Sequence, residues 1–288
     1  MTKNELIAKY KNLNVAEKLI AINLIVFLVF GLTAFLFKTS VLYDWFVLSK
    51  EFSDLVIKPW TVFTYSFLHQ GFLHLLFNMV TLYYVSKLFL TRFSAKLFLN
   101  TYLLGALVGG VLFLLSYNLF PVFNNQLSYL VGASASVMAV LIFVCTSLPQ
   151  MEVSVFTFKV KLWQLGLFFV VLDLIQIPYG NSGGHIAHIG GAVFGYIYAS
   201  QLSKGNDIAK GFEKLMTIIT SWFTFKKTSN LKTVYKTRSE KRASGKTIYQ
   251  KKRIQQEKVD AILDKISKNG YESLSKEEKA FLFQSGKD

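Results

Sequence analysis

The chain has 288 residues, of which 52% are hydrophobic and 17% are charged. Soluble domains carry about 25% charged residues, so the composition excludes an ordinary soluble protein and indicates a membrane protein. Residues 1–203 hold 12 Lys/Arg and 7 Asp/Glu, whereas residues 204–288 hold 20 and 10, which predicts a membrane domain followed by a basic tail.

Residues 1–18 mix lysine with glutamate and lack both arginine and a small-residue cleavage site. We therefore expect a cytoplasmic N-terminal segment rather than a transit peptide or a cleavable signal. Six apolar segments follow, each close to the roughly 20 residues that cross a bilayer. They lie at about 19–37, 71–90, 95–116, 130–148, 162–178 and 184–202. The predicted fold class is all-α, a polytopic membrane bundle of six transmembrane helices over residues 19–203.

Basic residues flank these segments unequally, which predicts their orientation. The N-terminal segment and the second and fourth connections carry lysine or arginine, whereas the connections 117–129 and 179–183 carry no charge. Cytoplasmic loops have an excess of Lys and Arg, so both termini are expected in the cytoplasm, which requires an even number of spans. The expected location is a cell membrane, as a multi-pass protein of a bacterial inner membrane.

The tail divides into a basic linker, 204–258, and a small helical segment, 259–288. Apolar residues recur at helical spacing between 208 and 222, which predicts a helix lying on the membrane surface or packed on another segment. The basic residues beyond it could contact anionic lipids or a cytoplasmic partner. No nucleic acid is expected, because interleaved aromatic residues are sparse. Two short helices are predicted around Asn269–Gly270, the second with a Ser275/Glu278 capping box.

All four histidines lie in or beside predicted spans. Ionisable residues at membrane depth are costly and usually face a cavity or one another. Spans two, four and six all run inward, and at about 1.5 Å per residue they place His74, Ser134 and His188 at similar depth. Asn78 shares a helix face with His74 at the i, i+4 spacing. A hydroxyl, two imidazoles and an amide are therefore expected at one level.

This set of groups matches the needs of acyl transfer. A serine nucleophile needs a base within about 3 Å, and His188 would serve Ser134 first as base and then as acid to the leaving amine. An imidazole with an unperturbed pKa of about 6.5 suits neutral pH. His74, Asn78 and the backbone N–H of Ser134 would donate hydrogen bonds to the oxyanion.

Each residue also has a structural interpretation. The segment "GASAS", with Gly132 before the serine, is by itself more typical of close helix packing than of catalysis. His185 is expected at a helix end or a solvent cavity, and His69 in hydrogen bonds of the loop that enters span two. For Asp173, near the outer end of span five, a structural hydrogen bond is favoured over a catalytic role.

No metal or other cofactor is expected. His185 and His188 have a short ligand-like spacing, but the segment has no HExxH pattern and no carboxylate or thiol nearby in the sequence.

Taken together, the segments "PWTVFTYSFLHQGFLHLLFNM", "GASAS" and "GHIAHIGGAVFG", in this order and on spans two, four and six, resemble the rhomboid intramembrane serine proteases. The resemblance implies a six-helix fold, a Ser134–His188 dyad that needs no acid, and His74 and Asn78 on the oxyanion side. It also implies His69 as a recurrent loop histidine, membrane-anchored protein substrates, and an entry gate at span five.

The sequence departs from the commonest rhomboid pattern at two positions. Ala135 stands where a glycine usually follows the nucleophile, and Met138 stands where an aromatic residue often stacks on the catalytic histidine. Two other functions are alternatives to a protease: a non-catalytic membrane binder that retains client helices, and a transporter or channel. A transporter is disfavoured because its polar residues should extend through the full depth of the bundle, whereas these cluster near the outer end.

Overall fold

The structure is a computed structural model that describes residues 5, 10, 12–155, 157–223 and 256–285. In chain order the helices up to residue 223 are α1 (Val15–Phe37), α2 (Val41–Asp44), α3 (Phe52–Ile57), α4 (Thr61–Thr64), α5 (Phe72–Leu90), α6 (Ala95–Leu119), α7 (Ser134–Ser147), α8 (Leu162–Gln176), α9 (Ser182–Ser203) and α10 (Lys210–Phe223). Short strands are β1 (Leu48–Ser49), β2 (Tyr129–Leu130), β3 (Glu152–Val155) and β4 (Phe158–Lys161). The predicted helical membrane class is confirmed.

A helix occupies each of the six predicted spans. In the part of the chain that the structure describes, four segments are long and apolar enough to cross a membrane by length and composition. They are α1, α5, α6, and α8 with the turn after it, Leu162–Tyr179. In the predicted span 130–148, α7 has only 14 residues. In the predicted span 184–202, α9 has 22 residues but carries several glycines and two histidines, which lower its apolarity. The count of six spans therefore stays a prediction.

The helix α7 lies in the centre of the bundle, and most of its side chains are buried. Small residues explain how its neighbours approach. A Cβ on Gly191 or Gly195 of α9 would collide with the carbonyl oxygen of Ala135 or Ala139 on α7. The backbones of α7 and α9 are thus in direct contact, as the small-residue pattern indicates. By contrast, α1 and α8 expose apolar side chains along much of their length, as expected for faces turned to lipid.

The first long connection is folded into short elements that support the start of α7. The strand β1 pairs antiparallel with β2, with Leu48 opposite Leu130. The Trp60 indole donates to the carbonyl oxygen of Trp45 at 2.8 Å, and the two rings stack. The pairing fixes the chain four residues before Ser134.

The connection between α7 and α8 forms a hairpin of β3 and β4, in which Glu152 lies opposite Lys161. The hairpin was not predicted. Four residues of alternating apolar and polar character give a weak pattern inside a short polar connection.

The helix α10, which the sequence analysis placed in the linker, is tied to α6. Glu213 accepts hydrogen bonds from Lys96 Nζ and Asn100 Nδ2, each at 2.7 Å. The hydrogen bond from Lys96, and then the one from Asn100, hold the pKa of Glu213 below its usual range. At the end of α9, Tyr198 donates to Asp207 at 3.0 Å.

The chain divides into two compact units, and the second comprises the residues after 224. Its described part contains α11 (256–269) and α12 (Lys276–Ser285). Ser275 Oγ accepts from the Glu278 N–H while Glu278 accepts from the Ser275 N–H, which confirms the predicted capping box. Of the predicted linker 204–258, residues 224–255 lie outside the described residues, as do 1–4, 6–9 and 11 of the N-terminal segment.

Candidate active site

Ser134 is the first residue of α7, and the backbone turn at Gly132, just before the helix, places it there. Gly132 has a φ of +124°, a backbone conformation that residues with a side chain rarely adopt. Its N–H donates to the carbonyl oxygen of Tyr65 at 3.0 Å. A Cβ at Gly132 would lie 2.7 Å from Cε1 and 2.8 Å from Nε2 of His74. Because the first N–H groups of a helix have no intrahelical acceptor, the start of α7 offers free donors beside Ser134.

His188 lies in the second turn of α9 and is held by a carboxylate of α8. Its Nδ1 lies 2.8 Å from Oδ1 of Asp173, and Nδ1 of His185 lies 2.7 Å from the same oxygen. Asp173 is only 6% exposed. The donor and acceptor in these two hydrogen bonds depend on the tautomer of each ring. If the carboxylate accepts both bonds, each Nδ1 carries a proton and Nε2 of His188 keeps its lone pair.

One cavity joins the predicted residues. It has a volume of about 330 Å³ and is lined by Ser134, His188, His74 and Asn78, together with Asp173 and other residues of α5, α7, α8 and α9. Within the described part of the chain, Ser134 and His188 share no hydrogen bond. Nucleophile–base contacts in unliganded enzymes are often long and tighten only when substrate binds.

His74 and Asn78 lie on one face of α5, as predicted. The Asn78 amide donates to the carbonyl oxygen of His74 at 2.9 Å, which leaves its second N–H for the cavity. The ring of His69 meets that of His74 edge to face at 5.1 Å. Burial, and then the neighbouring His74, lower the pKa of His69 to about 4. The side chain of His69 is therefore neutral at pH 7, and its ring packs against that of His74.

The cavity does not include every candidate. His69 and His185 do not line it, and both act on it only through neighbours. Asn181 lines it without having been predicted. This residue has a φ of 48° and directly precedes α9, and the pair Gly180–Asn181 is the sequence signal that could have indicated such a turn.

The two departures from the rhomboid pattern lie in different surroundings. Met138 lines the cavity. The side chain of Ala135 is buried and packs against Gly109 of α6, where an added Cβ would lie 2.7 Å from it. The extra methyl group at position 135 is therefore directed into the helix interface.

Within the described ranges, Asp173, His185 and His188 form a group that could hold a metal ion, and their ligand atoms lie within 4.8 Å of one another. A carboxylate with two imidazoles suits zinc chemically. The hydrogen bonds between Asp173 and the two histidines explain why these side chains cluster without a metal ion. That the protein binds no metal stays a prediction.

Residues 57–205 match the Rhomboid domain, and residues 248–285 match a family of unknown function, DUF6576. The chain is 31% identical over 137 residues to presenilin-associated rhomboid-like protein A, mitochondrial, of Danio rerio. The aligned residues make up 46% of this chain and 35% of that protein. It is 28% identical over 157 residues to RHOMBOID-like protein 12, mitochondrial, of Arabidopsis thaliana, covering 50% and 47%.

Rhomboid-like protease 3 of Toxoplasma gondii is 26% identical over 162 residues, covering 54% of this chain and 57% of that protein. The chain thus spans between about a third and somewhat more than half of the length of these relatives. Because the rhomboid domain covers more than half of the chain and contains the whole cavity, this multi-pass membrane protein belongs to the rhomboid family of intramembrane proteases.

Proposed function

We propose that the chain is a serine endopeptidase that cleaves membrane-anchored proteins within or near their transmembrane segments. The observation that carries this proposal is one cavity lined by Ser134 and His188 together with His74 and Asn78. Two helices that touch through small residues supply the serine and the histidine, while α5 supplies the imidazole and the amide.

The reaction follows from these positions. Ser134 Oγ attacks the carbonyl carbon of the scissile peptide bond while its proton passes to Nε2 of His188. The oxyanion accepts hydrogen bonds from His74, from Asn78 and from the free N–H groups at the start of α7. His188 then gives its proton to the leaving amine, and the acyl–serine remains. A water molecule, deprotonated by His188, hydrolyses this ester and restores Ser134.

The cavity walls indicate a route for a membrane-embedded substrate. Phe77 on α5 and Leu172 on α8 line the cavity, and both side chains are exposed on the outside of the bundle. A transmembrane substrate could unwind near its end and pass its peptide bond between α5 and α8. The lipid bilayer and transmembrane proteins are therefore the expected partners.

We also propose that the membrane is a bacterial inner membrane. Charge near the spans favours both termini in the cytoplasm, which places the cavity toward the outer face. The basic tail would then meet cytoplasmic lipid headgroups or a cytoplasmic partner.

The test is fluorophosphonate labelling of the purified full-length chain, together with cleavage of a reporter transmembrane protein. We expect labelling and cleavage in the wild type and neither in Ser134→Ala. His188→Ala should lower both by several orders of magnitude, since loss of one dyad member leaves only the oxyanion donors and binding. Cleavage that persists in Ser134→Ala would refute the proposal, and binding of the reporter without cleavage by the wild type would favour the non-catalytic binder.

A further inference from the structure

We propose that Asp173 is a positioning residue that holds His188 in the orientation and tautomer needed to deprotonate Ser134. This inference rests on the proposed function. It adds a carboxylate to a reaction that the rhomboid resemblance assigns to serine and histidine alone.

Nδ1 of His188 lies within hydrogen-bond distance of Oδ1 of Asp173, at 2.8 Å. Two atoms of an imidazole can carry the proton, and the acceptor at Nδ1 decides which one does. With a carboxylate at Nδ1, the proton stays on Nδ1 and Nε2 keeps its lone pair. Because Asp173 and Ser134 line the same cavity as the ring, this nitrogen can face the serine.

The carboxylate also affects the charge that develops in the reaction. When Ser134 gives up its proton, His188 becomes an imidazolium beside the buried Asp173. A neighbouring carboxylate stabilises that cation, and the effect is strong where the surroundings are of low dielectric constant. Asp173 is 6% exposed, so its charge is screened little. An acid beside the base therefore lowers the barrier to proton transfer as well as fixing the ring.

The contacts of Asp173 differ from those of a carboxylate that only stabilises the fold. Among the described residues, Asp173 accepts hydrogen bonds only from the two histidines, and its Oδ2 is buried with no partner. Asp207, at the other end of α9, shows the structural alternative. It accepts from the Tyr198 hydroxyl and from the N–H of Ala209, two groups that build the helix end.

His185 completes the arrangement. Its Nδ1 lies 2.7 Å from the same Oδ1, one helical turn before His188, so it restrains the carboxylate without lining the cavity itself. Removing His185 leaves the bond between Asp173 and His188 in place. We therefore assign His185 a lesser, indirect role.

The experiment compares three variants of the full-length chain in detergent: Asp173→Asn, His185→Gln and the matched control Asp207→Asn. Each is measured for fluorophosphonate labelling rate, for kcat and KM on a fluorogenic transmembrane peptide, and for melting temperature. For Asp173→Asn we expect kcat and the labelling rate to fall about 10²- to 10⁴-fold, the loss typical of an acid that orients a catalytic histidine, with KM nearly unchanged. The control Asp207→Asn should lower the melting temperature and leave kcat at the wild-type value. For His185→Gln, the fold-decrease in kcat should be less than a tenth of the fold-decrease for Asp173→Asn.

A wild-type kcat in folded Asp173→Asn would overturn the inference about Asp173. If Ser134→Ala did not cleave in the same assay, the proposed function would still stand. Cleavage by Ser134→Ala would instead overturn the proposed function itself. A second measurement needs no variant of Asp173. The ¹⁵N spectrum of the histidine-labelled wild type, with His188 assigned through His188→Gln, should show the proton on Nδ1, and a proton on Nε2 at neutral pH would also overturn the inference.

Discussion

Replacing Gly191 by alanine tests whether contact between α7 and α9 sets the geometry of the proposed dyad. Gly191 lies one turn after His188, and an added Cβ would collide with the carbonyl oxygen of Ala135, the residue after Ser134. Backbone atoms cannot rotate away as a side chain can. Since non-bonded heavy atoms settle about 3.5 Å apart, the two helices must separate by about 1 Å.

The cost of that separation has two parts. Overpacking a buried contact destabilises a protein by about 1–3 kcal/mol. In a unit of some 200 residues this corresponds to a melting temperature lower by about 3 °C per kcal/mol. A displacement of about 1 Å between reacting groups can lower the rate about 10²-fold. The labelling rate should therefore fall about 10²-fold in a protein that still folds.

The assay is the fluorophosphonate labelling rate, with the melting temperature measured on the same preparation. Gly31→Ala is the matched control, because Gly31 also lies within a helix, α1, yet a Cβ there would meet no atom within 4 Å. The control should label at the wild-type rate and change stability by no more than about 1 kcal/mol. A wild-type labelling rate in Gly191→Ala would refute the link between helix contact and the dyad.

Three further predictions concern single residues. Gly132→Ala should cost about 1–3 kcal/mol of stability for the strained backbone, and it should slow labelling by pushing the ring of His74, while a normal rate would show that this ring is not needed. Asn78→Ala should lower kcat about 10- to 10³-fold with little change in KM if its free N–H binds the oxyanion, whereas a change in KM alone would assign it to substrate binding. Glu213 has a pKa lowered first by Lys96, so its stabilisation is complete above its ordinary value of about 4.5 and is lost as pH falls through the lowered pKa. Glu213→Gln should therefore melt lower at neutral pH and lose less on acidification, and a parallel pH dependence would refute the assignment.

The sequence predicted the parts of the fold that follow from strong, local signals. Long apolar segments indicated the helices, and glycines at i, i+4 in α9 indicated a close neighbour. Depth was predictable because spans of the same direction place equivalent turns at the same level. Ser134, His74 and His188 were therefore predicted at one depth in the membrane, and all three line the same cavity.

Features set by long-range packing were not predictable. The rotation of α8 about its axis decides whether Asp173 points to lipid or to α9, and a uniformly apolar helix gives no periodicity from which to infer that rotation. The spacing of His185 and His188 at i, i+3 was visible, yet nothing local showed that both would donate to one oxygen on another helix. Pairing of β1 with β2, two residues each and some 80 residues apart, lies below any sequence pattern.

Ala135 shows how a departure from a sequence pattern changes meaning in three dimensions. Along the chain, the methyl group of Ala135 lies next to Ser134, where it is expected to crowd the oxyanion. In the helix, successive side chains point about 100° apart, so Ser134 can face the cavity while Ala135 faces α6. There the methyl group fits because its neighbour is Gly109, where any Cβ would collide with it. The requirement for a small residue has thus been met by the partner helix. A larger residue at position 109 should be excluded for the same reason that alanine is accepted at position 135.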